Sequence, residues 1–100
     1  MKKKKEYGTL SPENVDAERA QRNLSKAISI PTISYPEKEN VDFTQFDKFH
    51  EFLDEAYPLI HKTLTKEVIC EASLMYCWKG TRSDLDPIAL LAHQDVVPIS

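Results

Sequence analysis

The chain has 100 residues, 41% hydrophobic and 29% charged, the composition of an ordinary soluble protein and the size of one small domain with limited burial. A formal net charge of −3 supplies no basic face for nucleic acid, and no apolar run reaches the roughly eighteen residues of a transmembrane helix. Two cysteines are too few for a disulfide framework.

The chain opens on Met1-Lys2-Lys3-Lys4-Lys5, but Glu6-Tyr7-Gly8-Thr9-Leu10 follows where a signal peptide would continue with an apolar stretch. Residues 1–10 therefore read as a solvated, disordered basic start, with a weak attraction to anionic surfaces as the alternative. Ser11-Pro12-Glu13 is a helix-start signal: a capping hydroxyl, a proline at the first helical position and an acid in the first turn. Val15, Ala20, Leu24, Ala27 and Ile28 recur at helical spacing, with Glu18, Arg19, Arg22 and Lys26 turned away. Pro31 ends this helix by forcing Ile30 toward extended geometry. Tyr35 to Asn40 is a polar loop.

A second helix is expected from about Asp42 to Thr63, with Phe43, Phe46, Phe49, Leu53, Ala56 and Ile60 as its apolar stripe. Pro58 lies inside that window and predicts a kink or break near Tyr57. At helical period the phenylalanines read as core rather than as a ligand surface. His50 and His61 would stand about 16 Å apart on a continuous helix, too far to share a metal, and read as surface histidines.

Beyond Leu64 the period changes from helical to alternating. Thr65 to Cys70 and Ser73 to Lys79 read as strands, the second with Leu74, Tyr76 and Trp78 on one face. The short Glu71-Ala72 link favours an antiparallel hairpin. Cys70 and Cys77 fall on these neighbouring strands, where a cross-strand bridge is conceivable. The favoured reading is two small buried thiols in a reducing cytoplasm. Gly80 to Asp86 is a polar turn, in which Asp84 and Asp86 read as solvated acids. Ile88-Ala89-Leu90-Leu91-Ala92 lacks alternation, as in an interior strand covered on both faces. The fold class is thus α/β: two N-terminal helices followed by three strands.

That last apolar run delivers His93 and Asp95, two residues apart, to one face at its far end. A neutral imidazole beside a carboxylate can serve as a metal ligand held by its hydrogen-bonded partner. One histidine and one aspartate do not complete a zinc site, which takes three or four protein ligands.

His93-Gln94-Asp95-Val96-Val97-Pro98, preceded by Leu90-Leu91-Ala92, resembles the first metal-site motif of a zinc exopeptidase and amidohydrolase family of clan MH. That family includes the aminoacylases, the vacuolar carboxypeptidase S, the carnosine dipeptidases and the succinyl-diaminopimelate desuccinylases. Leu24 to Ser34 resembles its first helix and the isoleucine-proline-threonine turn after it. Ser73 to Gly80 resembles the strand that precedes the motif in carboxypeptidase-S-like members. The three blocks stand in order from about Ala20 to Ile99.

The resemblance implies that His93 is a metal ligand and Asp95 the catalytic aspartate that orients it. It implies that 11–100 is the N-terminal portion of a mixed-sheet zinc-peptidase catalytic domain, truncated after its first metal-ligand motif. The complete enzyme would hold two zinc ions and hydrolyse the amide bond of a peptide or N-acyl amino acid by metal-activated water. A full-length homodimer is possible. The location expected is cytoplasmic, though vacuolar and secreted relatives exist, with no nucleic-acid or membrane partner. The 100 residues alone are expected to be inactive. The alternative is a non-catalytic interaction or regulatory protein derived from that family, pairing through an exposed strand.

Overall fold

The structure, a computed structural model, describes residues 14–99. The basic start over 1–10 and the Ser11-Pro12-Glu13 signal lie outside them. The first described helix, α1, spans Ala17–Ile28 and is capped by Asp16, whose carboxylate accepts from the Arg19 N–H at 3.0 Å. Its end is closed by Ser29, whose N–H reaches back to the carbonyls of the last turn just before Pro31. The apolar stripe of α1 is largely uncovered, with Leu24 62% and Ile28 72% exposed. Two side chains that the helical pattern turned outward make its ties to the next helix. Arg19 donates to the Ala56 carbonyl at 3.1 Å, and the Lys26 ammonium sits 5.8 Å from the Phe52 ring centroid.

Within the polar loop, Lys38–Asn40 forms a single 3₁₀ turn. Lys38 Nζ lies 2.5 Å from the Glu71 carboxylate, which ties this loop to the tip of the hairpin. Helix α2 spans Phe43–Ala56, and α3 spans Pro58–Thr63. The break falls at Tyr57, as Pro58 dictates: proline brings no N–H to the ladder and opens a new helix at its first position. Asp42 caps α2, accepting from the Thr44 N–H at 3.1 Å.

The core among the described residues is small. Phe46 and Phe52 are its buried hydrophobic side chains, each 5% exposed, with Thr32 as a buried polar one. Phe52 was absent from the expected stripe. It follows Phe49 by three residues where Leu53 follows by four, and both spacings keep a helical face.

The hairpin pairs β1, Thr65–Ile69, with β2, Ser73–Cys77, antiparallel, with Thr65 opposite Cys77 and Ile69 opposite Ser73. Its turn is the three residues Cys70 to Ala72, one more than the link expected, with Cys70 at a φ of 54°. That left-handed region is unfavourable for a residue with a β-carbon. Both cysteines are free and exposed rather than buried. They sit at opposite ends of the hairpin, a register that rules out the cross-strand bridge. Leu74 and Tyr76 are half-buried, Tyr76 against His61 of α3, whereas Trp78 is 78% exposed.

The third strand does not form among the described residues. A strand exists through its neighbours' hydrogen bonds, and β1 and β2 pair only with each other. Ile88, Leu90 and Leu91 stand 89–96% exposed where interior positions were expected. The motif segment instead makes one parallel bridge, Ile33 with Val96. The architecture is mixed α and β, with a two-stranded antiparallel sheet. Among the described residues no helix is long and apolar enough to cross a membrane.

Candidate functional site

The bridge between Ile33 and Val96 sets the site. Val96 N–H donates to the Thr32 carbonyl and Ser34 N–H to the Val96 carbonyl, each at 2.9 Å. The Thr32 hydroxyl adds a 2.7 Å bond to the Gln94 carbonyl. These bonds lay the turn after α1 alongside residues 94–96, and the alternation of an extended segment then separates the side chains by face. Gln94 faces inward, while His93 and Asp95 come together on the other side.

His93 Nδ1 lies 2.9 Å from the Asp95 carbonyl oxygen and 3.2 Å from Asp95 Oδ1. Both are acceptors, so Nδ1 carries a proton, and in the neutral imidazole the lone pair is then on Nε2. The other carboxylate oxygen, Oδ2, accepts from the Ser34 hydroxyl at 2.5 Å. Ser34 foremost, with the His93 imidazole adding to it, holds the Asp95 carboxyl below the usual carboxylate range, against the opposing effect of partial burial. His93 is 85% exposed at its side chain, and a shallow concavity lined by His93, Asp95, Val96 and Val97 opens there.

On the inner face, His50 Nε2 stands 3.0 Å from Gln94 Oε1, and Gln94 Nε2 donates to the Ala72 carbonyl at 2.5 Å. His50 is therefore not the surface histidine expected; it is half-buried and ties α2 to the motif. His61 is also half-buried. Its Nδ1 meets the Tyr57 carbonyl at 2.8 Å, and its Nε2 lies 2.7 Å from the Tyr76 hydroxyl and 3.0 Å from Asp54. It serves the α3–hairpin contact and takes no part in the site. Asp84 pairs with Arg82 in an exposed turn, as a solvated acid does.

The structure thus brings His93 and Asp95 together as the strand geometry predicted. Sequence reasoning missed Thr32, Ser34, Gln94 and His50. Thr32 and Ser34 carried a signal, two hydroxyls at a period of two shortly after a helix, but their partners lie 62 and 61 residues away.

Among the described residues no three His, Cys, Asp or Glu side chains converge on one point. His93 fits one position of a zinc site: an imidazole with an open Nε2 and its Nδ1–H held by a carboxylate. The remaining ligands would have to come from elsewhere.

Over 98 residues the chain is 44% identical to "Probable carboxypeptidase S-like 2" of Dictyostelium discoideum, covering 89% of this chain and 19% of that protein. It is 40% identical over 82 residues to carboxypeptidase S of Saccharomyces cerevisiae, covering 77% of this chain and 14% of the yeast protein. The chain belongs with the carboxypeptidase-S-like proteins. A mouse protein named N-fatty-acyl-amino acid synthase/hydrolase PM20D1 is 36% identical over 77 residues, 75% of this chain and 15% of its own length. The kinship read from the three sequence blocks is thereby met. This carboxypeptidase-S-like chain spans less than a fifth of the length of these relatives. No family model matches it. No solved structure matches it either.

Proposed function

We propose that this chain is part of a zinc-dependent amide hydrolase that cleaves a peptide or an N-acyl amino acid, with His93 as a metal ligand and Asp95 as its orienting carboxylate. The observation that carries the reading is the His93–Asp95 pair itself. In a chain akin to carboxypeptidases and acyl-amino-acid hydrolases, it leaves one imidazole nitrogen open and locks the other.

The roles of the residues follow from that pair. Asp95 keeps a proton on Nδ1 by offering it two oxygens, and so leaves the Nε2 lone pair of the neutral ring for a metal. A zinc ion bound there would polarise an amide carbonyl and lower the pKa of water to about 7. Val96 and Val97 wall the concavity and keep apolar surface beside the imidazole.

The other ligands, a second zinc and the proton-accepting base belong on this reading to chain beyond the residues seen here. So do the strand partners that would turn the exposed 88–92 run into a strand of a mixed sheet. Among the described residues the metal site is then incomplete, and on this reading the 100 residues alone are inactive. The test is metal analysis of the full-length protein after exhaustive dialysis. The parent retains zinc and His93→Ala has lost it; equal zinc in both would overturn the reading.

A further inference from the structure

We propose that Ser34 is a positioning residue for this site: through Asp95 it sets the tautomer and aim of His93. The inference rests on the reading of His93 as a metal ligand and assigns a role to a side chain outside the motif.

An aspartate carboxylate is weakly fixed by its own torsional preferences, because rotation about its last bond is broad and two-fold. The Asp95 backbone carbonyl also meets His93 Nδ1, at 2.9 Å, but the carboxylate adds a steady second hold only if its other oxygen is itself held. The Ser34 hydroxyl does this, donating to Oδ2 at 2.5 Å while Oδ1 stays with His93 Nδ1. A bond from a hydroxyl to an ionised carboxylate is short and among the stronger kinds.

Ser34 is itself fixed. Its N–H is bound to the Val96 carbonyl, and the same strip is pinned by Thr32, which is 3% exposed and bonded to Gln94. The hydroxyl therefore arrives from a braced segment and not from a free loop. The relay runs from that segment through Ser34 and Asp95 to the imidazole of His93, which lines the concavity.

The experiment uses the full-length protein and zinc alone, with affinity read by competition against a chromophoric chelator. Ser34→Ala is expected to bind zinc about tenfold more weakly, the lower end of what losing an outer hydrogen-bond partner costs a metal site. Ser34→Thr, which keeps a hydroxyl, should restore parental affinity. Ser29→Ala, which removes a hydroxyl bonded to the Lys26 carbonyl at the end of α1, should change nothing.

A second readout needs no metal: nitrogen NMR of the His93 ring in metal-free protein at about pH 8, above the ordinary imidazole range. The parent shows a proton on Nδ1; Ser34→Ala shows a mixture of tautomers. Parental affinity and a single tautomer in Ser34→Ala would overturn the proposal. If Ser34→Ala does not fold, Ser34→Cys carries the test, since a thiol is a weak donor. Weaker zinc binding by the cysteine variant than by Ser34→Thr supports the relay, and equal binding overturns it. Undiminished zinc binding by His93→Ala would instead sink the underlying reading, a distinguishable failure.

Discussion

His50 Nε2 and Gln94 Oε1 stand 3.0 Å apart, so the middle of α2 is bound to the residue that separates the two candidate site side chains. The Gln94 amide completes the link by donating to the Ala72 carbonyl in the hairpin turn. One side chain thereby joins helix, hairpin and motif, while its neighbours His93 and Asp95 point the other way.

Replacing Gln94 by leucine leaves the His50 N–H and the Ala72 carbonyl without this partner. Loss of one such bond with partly buried partners costs about 1–2 kcal/mol. A lower urea midpoint with an unchanged slope is the expected result. An unchanged midpoint would show that the link carries no stability.

Phe46 and Phe52 hold the small core, each 5% exposed. Phe46→Ala or Phe52→Ala should cost about 3 kcal/mol, the low end for a phenylalanine, because few buried neighbours surround the space left behind. Phe43→Ala, at a half-buried position, should cost clearly less. Denaturant unfolding of the three variants side by side checks the order.

The cap of α2 should be sensitive to acid. The Thr44 hydroxyl, foremost, holds the Asp42 carboxyl below the usual carboxylate range, with the Thr44 N–H adding to it and slight desolvation opposing. A depressed folded pKa means that the folded state binds fewer protons than the unfolded one. The cap's contribution is then fully present above the ordinary carboxylate value of about 4 and fades as pH falls through the lower folded value. Circular dichroism across that acid window should show α2 loosening in the parent. Asp42→Asn, which still accepts a capping bond but does not titrate, should flatten that dependence; identical profiles would contradict it.

The 88–92 segment gives opposite expectations in two settings. Leu91 is 96% exposed here, so Leu91→Lys should change the stability of this chain by no more than about 0.5 kcal/mol. In the full-length protein, where we propose that the same run is a covered strand, a buried lysine should lower soluble yield sharply. Equal tolerance in both would refute the covered strand.

What the sequence disclosed was what local pattern controls. The start of the second helix near Asp42, the break before Pro58 and the alternation of Ser73 to Cys77 each depend on residues within a few positions. Phe52 was ambiguous for a local reason, since steps of three and four both keep a helical face. The pairing of Ile33 with Val96 and the Ser34–Asp95 bond depend on closure of a long loop, which no window of sequence reports. Ile88–Ala92 shows the converse. Its apolar run marks what the segment would do with neighbours on both sides, and among the described residues it has none. The His93–Asp95 pair was legible because alternation alone puts both side chains on one face; the Ser34 bond that holds Asp95 was not.

The central claim is that His93 makes this chain part of a metal-dependent amide hydrolase. The most direct measurement is amino-acid release from N-acyl amino acids and short peptides by the full-length protein, stripped with chelator and resupplied with zinc, beside His93→Ala treated identically. In the parent, activity should vanish on stripping and return with zinc; His93→Ala should show none at any zinc concentration. Parental hydrolysis by His93→Ala, or activity in the parent indifferent to stripping, would contradict it.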